Sequence, residues 1–380
     1  MRAVYEDDHE AFRETVRAFV RRHLEPAHQK ASEQRQLPRE IWLEAGRQGL
    51  LGLGVPEGYG GSAAPDYRFS AVLTEELAGL SLAVASSLSI HYDVVAPYLV
   101  ELGTVEQRER WLPAFCSGEA VSAIAMTEPS GGTDLAALKT TAKRSGDKWI
   151  LNGAKTFITN GASADLVIVA ARTGPGERSK GISLFVVDAS LSGFRRGRKL
   201  DKVGQPESDT AELFFDDVEL DESALLGEVG RGFVYMMERL PQERISGAIC
   251  NLAHVRPLLE ETVAYARERQ AFNRPIGSFQ HNKFVLAELA TKVDVTQAFV
   301  DQCLELHAKG RLDAVTAAKA KWWAAEVQNE VIDSCVQIYG GYGYMREYRI
   351  ARAWMDARVT KIWAGSNEIM KELIGRDLGL

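Results

Sequence analysis

The chain is poor in the residues that staple a protein, anchor it in a membrane or draw it to a polyanion. Its four cysteines, Cys116, Cys250, Cys303 and Cys335, are far apart with no C-x-x-C pair, which excludes a disulfide framework or cysteine metal site and predicts reduced, buried thiols. The seven histidines contain no H-E-x-x-H or similar array. His91, His254 and His281 therefore read as packing or surface residues, and no metal is expected. No apolar run approaches the ~20 residues that span a bilayer. Residues 1–8 lack the apolar core of a signal peptide, so no membrane partner and a cytoplasmic location are expected. With a net charge of -7 and basic residues scattered among acidic ones, the chain has no electrostatic footprint for nucleic acid. A dinucleotide fingerprint is absent as well: Gly227, Gly230 and Gly232 are spaced G-x-x-G-x-G, the reverse of G-x-G-x-x-G, and no clear strand leads into them.

What is present is a globular composition, 46% hydrophobic and 26% charged over 380 residues, long enough for two or three packed domains and a buried site. Up to about residue 120 the pattern is helical. Phe12, Val16, Phe19, Val20 and Leu24 fall on one face, Glu25-Pro26 marks a break, Pro38 opens a second helix, and a Gly/Pro-rich loop covers residues 52–61. From 121 to 230 the runs become β-rich, at 149–151, 166–170, 182–187 and 211–215, with hairpin chemistry at Ser145-Gly146-Asp147 and Asn152-Gly153. From 231 to 380 helical period returns. Ile245, Ile249, Leu252, Leu259 and Val263 lie on one very long helix, and others are predicted from about Gln280 to Ala308 and Ala314 to Tyr339. The predicted fold class is α+β, with an N-terminal helical domain (1–120), a middle β domain (121–230) and a C-terminal four-helix bundle (231–380).

The stretch Ala125-Met126-Thr127-Glu128-Pro129-Ser130-Gly131-Gly132-Thr133-Asp134 joins a strand end to a turn dense in hydroxyls and small residues. Glycine at 131 and 132 removes β-carbons that would hold a ligand off the backbone, so main-chain N–H groups and the hydroxyls of Thr127 and Thr133 can reach a flat, polar cofactor. Alone, the stretch is also an ordinary turn. Further along stand Lys155-Thr156-Phe157-Ile158-Thr159-Asn160-Gly161, Arg269-Gln270-Ala271-Phe272 followed by Gln280, Gln337-Ile338-Tyr339-Gly340-Gly341-Tyr342-Gly343-Tyr344, and Trp363-Ala364-Gly365-Ser366-Asn367-Glu368-Ile369. In this order, from near residue 5 to the C-terminus, these segments resemble the acyl-CoA dehydrogenase family. The likeness is greatest to its long-chain type, through Leu240-Pro241-Gln242-Glu243-Arg244 and Asn367-Glu368-Ile369-Met370-Lys371-Glu372-Leu373.

The resemblance implies an FAD enzyme of fatty-acid β-oxidation. It would remove the pro-R α-proton and a β-hydride from an acyl-CoA thioester, leaving a trans-2-enoyl product with the hydride on flavin N5. A homotetramer with electron transfer flavoprotein as electron acceptor is implied too. Much of the family carries its base directly before the glycine of the last motif, where this chain has Ala364. A minority carries it on the long helix after the β domain, and the matching residue is Glu243. Alone, Glu243 reads as a solvated glutamate just after a helix-opening Pro241. Its rivals Glu128 and Glu368 match, in the family, a turn-backbone and a cofactor-loop residue. Carried over position by position, Met126, Thr127, Gly132 and Thr133 contact the flavin, Phe157 packs on its ring in place of the commoner Trp, and Thr159 bonds its polar edge. Arg269, Phe272, Gln280, Gln337, Gly340 and Gly341 resemble residues that hold pyrophosphate and adenosine across a subunit boundary, while Ser366 and Glu368 cap the phosphate and ribose region. Thr133, Arg244, Ala364 and Gly365 are implied on the substrate side, the N–H of residue 364 binding the thioester carbonyl.

Three further functions share these residues: dehydrogenation of an acyl or aminoacyl group on a carrier protein, oxygen-using oxidase or monooxygenase chemistry, and a non-catalytic flavin-binding role. The presence of Glu243 argues against the last.

Overall fold

Residues 2–174 and 179–380 are described by the computed structural model. Helices α1 (Asp7–Phe19), α2 (Glu25–Gln34), α3 (Arg39–Arg47), α4 (Arg68–Leu80), α5 (Leu82–Ser89), α6 (Ala96–Leu102) and α7 (Val105–Ser117) form the first block. Each turns an apolar stripe inward; Val16, Phe19, Trp42, Leu77 and Leu88 share one buried cluster. Helix α7 starts on a reciprocal cap, with Thr104 Oγ1 accepting from Gln107 N–H and Gln107 Oε1 accepting from Thr104 N–H. The expected break at Glu25-Pro26 does not occur. A π-helical turn, Val20–Leu24, links α1 to α2 directly and puts Pro26 in the first turn of α2, where its missing N–H leaves little unpaired. A second π turn, Ile90–Val95, likewise joins α5 to α6.

The middle block is one eight-stranded sheet of β1 (Ser122–Ala125), β2 (Thr141–Ser145), β3 (Lys148–Thr159), β4 (Leu166–Arg172), β5 (Ile182–Asp188), β6 (Phe194–Lys199), β7 (Thr210–Asp221) and β8 (Leu225–Leu226). Its order is β6-β7-β3-β2-β4-β5-β8, with β1 beside β4. Strands β4 and β5 are largely apolar runs, with Ser183 the buried exception in β5, and are buried along almost their whole length. By contrast β6 reads Phe-Arg-Arg-Gly-Arg-Lys and forms a charged edge. Gly146, at φ 64°, turns the β2–β3 hairpin as expected. Asn152-Gly153 makes no hairpin: it lies within β3, where the register against β7 shifts, and the Asn152 amide pairs with Asp217 at 2.8 Å. The same Asn-Gly chemistry that suits a turn here suits a β-bulge.

A loop through Gly227 and Gly230 leads from β8 into α8 (Gly232–Glu268), followed by α9 (Gln280–Ala308), α10 (Ala314–Tyr339), α11 (Arg349–Ala357) and α12 (Asn367–Asp377). Ile245, Ile249 and Leu252 of α8 share one buried core with Val293 and Val300 of α9 and Val327 and Val331 of α10. Helix α8 starts at Gly232, so Pro241 sits inside it and opens nothing. Lacking an N–H, Pro241 leaves the carbonyl of Met237 without its helical donor. All four cysteines are buried and free. His91 is buried and stacked 3.5 Å from the Phe115 ring, His254 is bonded to Gln328, and His281 is exposed. Among the described residues no helix is long and apolar enough to cross a membrane.

Ile245 is fully buried where α8 meets its neighbours. Ile245→Ala is expected to lower stability by about 2–5 kcal/mol, read by chemical denaturation.

Candidate active site

Strand β1 runs into the turn at 126–134, and two interactions fasten that turn to β3. Thr156 N–H donates to the Thr127 carbonyl at 3.0 Å. Beneath it, the fully buried Lys155 Nζ donates to Glu128 Oε1 at 2.9 Å and to the Met126 carbonyl at 3.1 Å. Glu128 also accepts from the backbone N–H groups of Lys139 and Thr140. Burial pulls the Lys155 ammonium down to about 8 against the opposing pull of Glu128. Burial would raise the Glu128 carboxyl, but Lys155 and these donors hold it below its ordinary value. One residue further, the β3–β7 register shifts between Lys155 and Ile158, and Phe157 takes φ 59° with its ring 68% exposed. The bulge aims an aromatic face outward. Met126, Thr127 and Thr159 are half-buried nearby in the chain, with Gly132 and Thr133 exposed. A β-carbon at Gly132 would come within 3.3 Å of the Thr127 methyl.

Glu243 lies well inside α8, half-buried, and is no solvated residue at a helix start. Tyr98 Oη of α6 donates to Glu243 Oε1 at 3.4 Å. Its neighbour Gln242 donates to Asp93 Oδ1 at 2.9 Å, and Tyr67 Oη donates to Asp93 Oδ2 at 2.9 Å. Asp93 is 2% exposed, in the π turn between α5 and α6. Burial, then the charge of Asp93, pushes the Glu243 carboxyl up from 4.5 to about 7, against Arg244, Tyr98 and Arg239. Burial also raises Asp93. Arg244 is buried and donates to the Ala314 carbonyl at 3.3 Å.

The loop before α12 is strained. Ala364 has φ 51° and Gly365 φ 85°, a conformation only glycine adopts without cost. Lys321 of α10, 1% exposed, fastens this loop by donating to the Gly365 carbonyl at 2.6 Å. Ser366 precedes α12 and the exposed Glu368 stands in its first turn. A third group occupies the helix ends. The Arg269 guanidinium lies 5.4 Å from the Tyr342 ring, which brings the end of α8 to the turn holding Gly340 and Gly341. Phe272 is 89% exposed at φ 51°. Gln280, Gln337, Gly340 and Gly341 are exposed too. A cavity of about 1400 Å³ is lined by His28, Lys202, Asp209 and Asp356 among others, and Glu243 is not part of it. Among the described residues no group of three or more His, Cys, Asp or Glu could hold a metal ion.

Sequence reasoning missed Asp93, Tyr98, Lys155 and Lys321 as site-building residues. A signal existed for Lys321, a lysine within an otherwise apolar helical stripe.

An open aromatic face on a bulged strand beside a hydroxyl-rich turn, together with a half-buried carboxylate on a long helix, suits a flavin-dependent oxidoreductase of the helix–sheet–helix type. The sequence matches the acyl-CoA dehydrogenase N-terminal domain over residues 6–119, the middle domain over 123–218 and the C-terminal domain over 230–379. It is 48% identical over 380 residues to the mitochondrial long-chain specific acyl-CoA dehydrogenase of Rattus norvegicus, covering all of this chain and 88% of that protein. The crystal structure of an acyl-CoA dehydrogenase from Geobacillus kaustophilus superposes with a TM-score of 0.98 at 42% identity, covering 100% of both chains. A glutaryl-CoA dehydrogenase from Mycobacterium smegmatis in complex with FADH2 superposes with a TM-score of 0.92 at 27% identity, covering 99% of this chain and 95% of that one. The chain belongs to the acyl-CoA dehydrogenase family. It is an oxidoreductase of acyl-CoA dehydrogenation, and its cofactor is FAD, which the Gly132 cradle and the exposed Phe157 fit.

Lys155→Met leaves Glu128 buried without its cation and is expected to cost about 3–5 kcal/mol. Purified variant should also lose FAD on gel filtration, because the turn at 126–134 is no longer tied to β3.

Proposed function

We propose that Glu243 is the base that takes the α-proton of an acyl-CoA thioester, giving the trans-2-enoyl product. The observation that carries this reading is a carboxylate on α8, lifted to about 7 by burial and by Asp93. A near-neutral carboxylate suits a weakly acidic proton. The chain has alanine at 364, and Glu128 is committed to Lys155 and two backbone N–H groups. Held by Met126, Thr127, Gly132, Thr133, Phe157 and Thr159, the flavin of FAD would supply the acceptor for the β-hydride.

The other residues bind and orient. The Ala364 N–H, held by the strained loop that Lys321 fastens, is assigned to the thioester carbonyl, where developing negative charge needs a fixed donor. Arg244, Thr133 and Gly365 line the substrate side. Met126, Thr127, Gly132, Thr133, Phe157 and Thr159 hold the flavin ring region; Ser366 and Glu368 hold the phosphate and ribose region. Arg269, Phe272, Gln280, Gln337, Gly340 and Gly341 are assigned to a neighbour's cofactor in a homotetramer, supported by the 89% exposure of Phe272. Electron transfer flavoprotein as acceptor, a role in β-oxidation, a cytoplasmic location and domain boundaries near 120 and 230 complete the reading.

The base works ionised, so flavin reduction should rise with pH through about 7. Because the folded pKa stands above 4.5, folding takes up a proton, and the stability linked to this group is complete below 4.5 and lost as pH rises through about 7. Glu243→Gln should keep its yellow colour and bind acyl-CoA, yet reduce flavin more slowly by roughly three orders of magnitude or more in anaerobic stopped flow. Wild-type rates in that variant would refute the assignment. Running the wild type against matched acyl-CoA and acyl-carrier-protein thioesters identifies the carrier.

A further inference from the structure

Glu243, Gly247 and Asn251 follow one another at intervals of four along α8, and such residues form a single ridge on a helix surface. The ridge has a gap at its middle. Where a β-carbon on Gly247 would stand there is no heavy atom within 4 Å, so open space begins directly beyond the proposed base. One helical turn beyond Gly247 on the same ridge is Asn251, 1% exposed, whose amide nitrogen and amide oxygen both lack a hydrogen-bond partner. A buried amide with neither end satisfied is uncommon and costly, and calls for a partner that both donates and accepts. The neighbouring Cys250 cannot supply it: its thiol packs in the apolar cluster with Leu88 and Tyr92, with its pKa pushed up to about 12. His254 cannot either, since its Nδ1 is engaged by Gln328 at 3.0 Å.

Asn251 stands eight residues beyond Glu243, about 12 Å along the helix axis at ~1.5 Å per residue. Only a medium or long acyl chain whose α-carbon lies at Glu243 reaches it. We propose that Asn251 is a specificity-determining residue that selects acyl chains bearing a hydroxyl group far from the thioester. A hydroxyl meets both halves of the amide: its hydrogen goes to Oδ1 and its oxygen accepts from Nδ2. A plain methyl terminus leaves both unmet, and buried polar groups of this kind discriminate strongly against the analogue that lacks the partner. The proposal rests on Glu243 being the base, because that places the chain along this ridge.

The test compares kcat/KM for lauroyl-CoA and ω-hydroxylauroyl-CoA in the FAD-loaded wild type, Asn251→Leu and Asn251→Ser, with octanoyl-CoA bleaching of the flavin as a separate arm. The wild type is expected to favour the hydroxylated chain by roughly tenfold or more, and Asn251→Leu to reverse the order. Asn251→Ser retains a hydroxyl and should keep part of the preference, which serves if the leucine variant does not fold. A wild-type preference for lauroyl-CoA overturns the proposal. So does a ratio unchanged by Asn251→Leu, which would mean that the amide is met by buried water only. If octanoyl-CoA fails to bleach the wild-type flavin, the reading of Glu243 fails with it, an outcome separate from loss of selectivity alone.

Discussion

Two carboxylates, Asp93 and Glu243, face one water-poor region between the α5–α6 helix and α8, and the rest of the site is arranged around that repulsion. Asp93, in the π turn, has three side-chain hydrogen bonds against its burial, from Ser246, the Gln242 amide and the Tyr67 hydroxyl. Glu243 has fewer. Its one hydrogen bond comes from Tyr98, at a long 3.4 Å. With so little to stabilise its charge and its carboxyl pushed up to about 7, Glu243 is able to exchange a proton near neutral pH. Within the 37 residues of α8, Glu243 meets Tyr98 of α6 while Ile245, Ile249 and Leu252 anchor the helix in the core with α9 and α10.

The cofactor side is built on the opposite principle, with buried charge paired tightly and aromatic surface left open. Lys155 and Lys321 are both almost wholly buried, and each fastens a loop through backbone carbonyls: Met126 in one case, Gly365 in the other. Neither is placed to do chemistry. They fix main-chain groups, and the strain at Phe157 and Ala364 persists because those anchors do not yield.

Much of this was legible from residues. The limits of α9 and α10 follow from apolar period and from caps such as Asp313, which accepts from two backbone N–H groups at the start of α10. Strands β4 and β5 declare themselves as apolar runs. Sequence and structure part where one local signal serves two structures: Asn152-Gly153 suits a bulge as well as a hairpin, and Pro26 and Pro241 have the pattern of helix boundaries while neighbouring geometry accommodates both. Glu243 was legible only through resemblance, since a lone helical glutamate looks the same exposed or buried. Asp93, Lys155 and Lys321 left little trace because their roles depend on partners many residues away, and a π turn has no sequence period of its own.

The most direct test is a titration of the Glu243 carboxyl itself, followed by isotope-edited infrared difference spectroscopy in the wild type and in Asp93→Asn. A midpoint of about 7 is expected in the wild type, and a lower one once the charge of Asp93 is removed. A midpoint at the ordinary 4.5 in the wild type, or one that does not fall in Asp93→Asn, would contradict it.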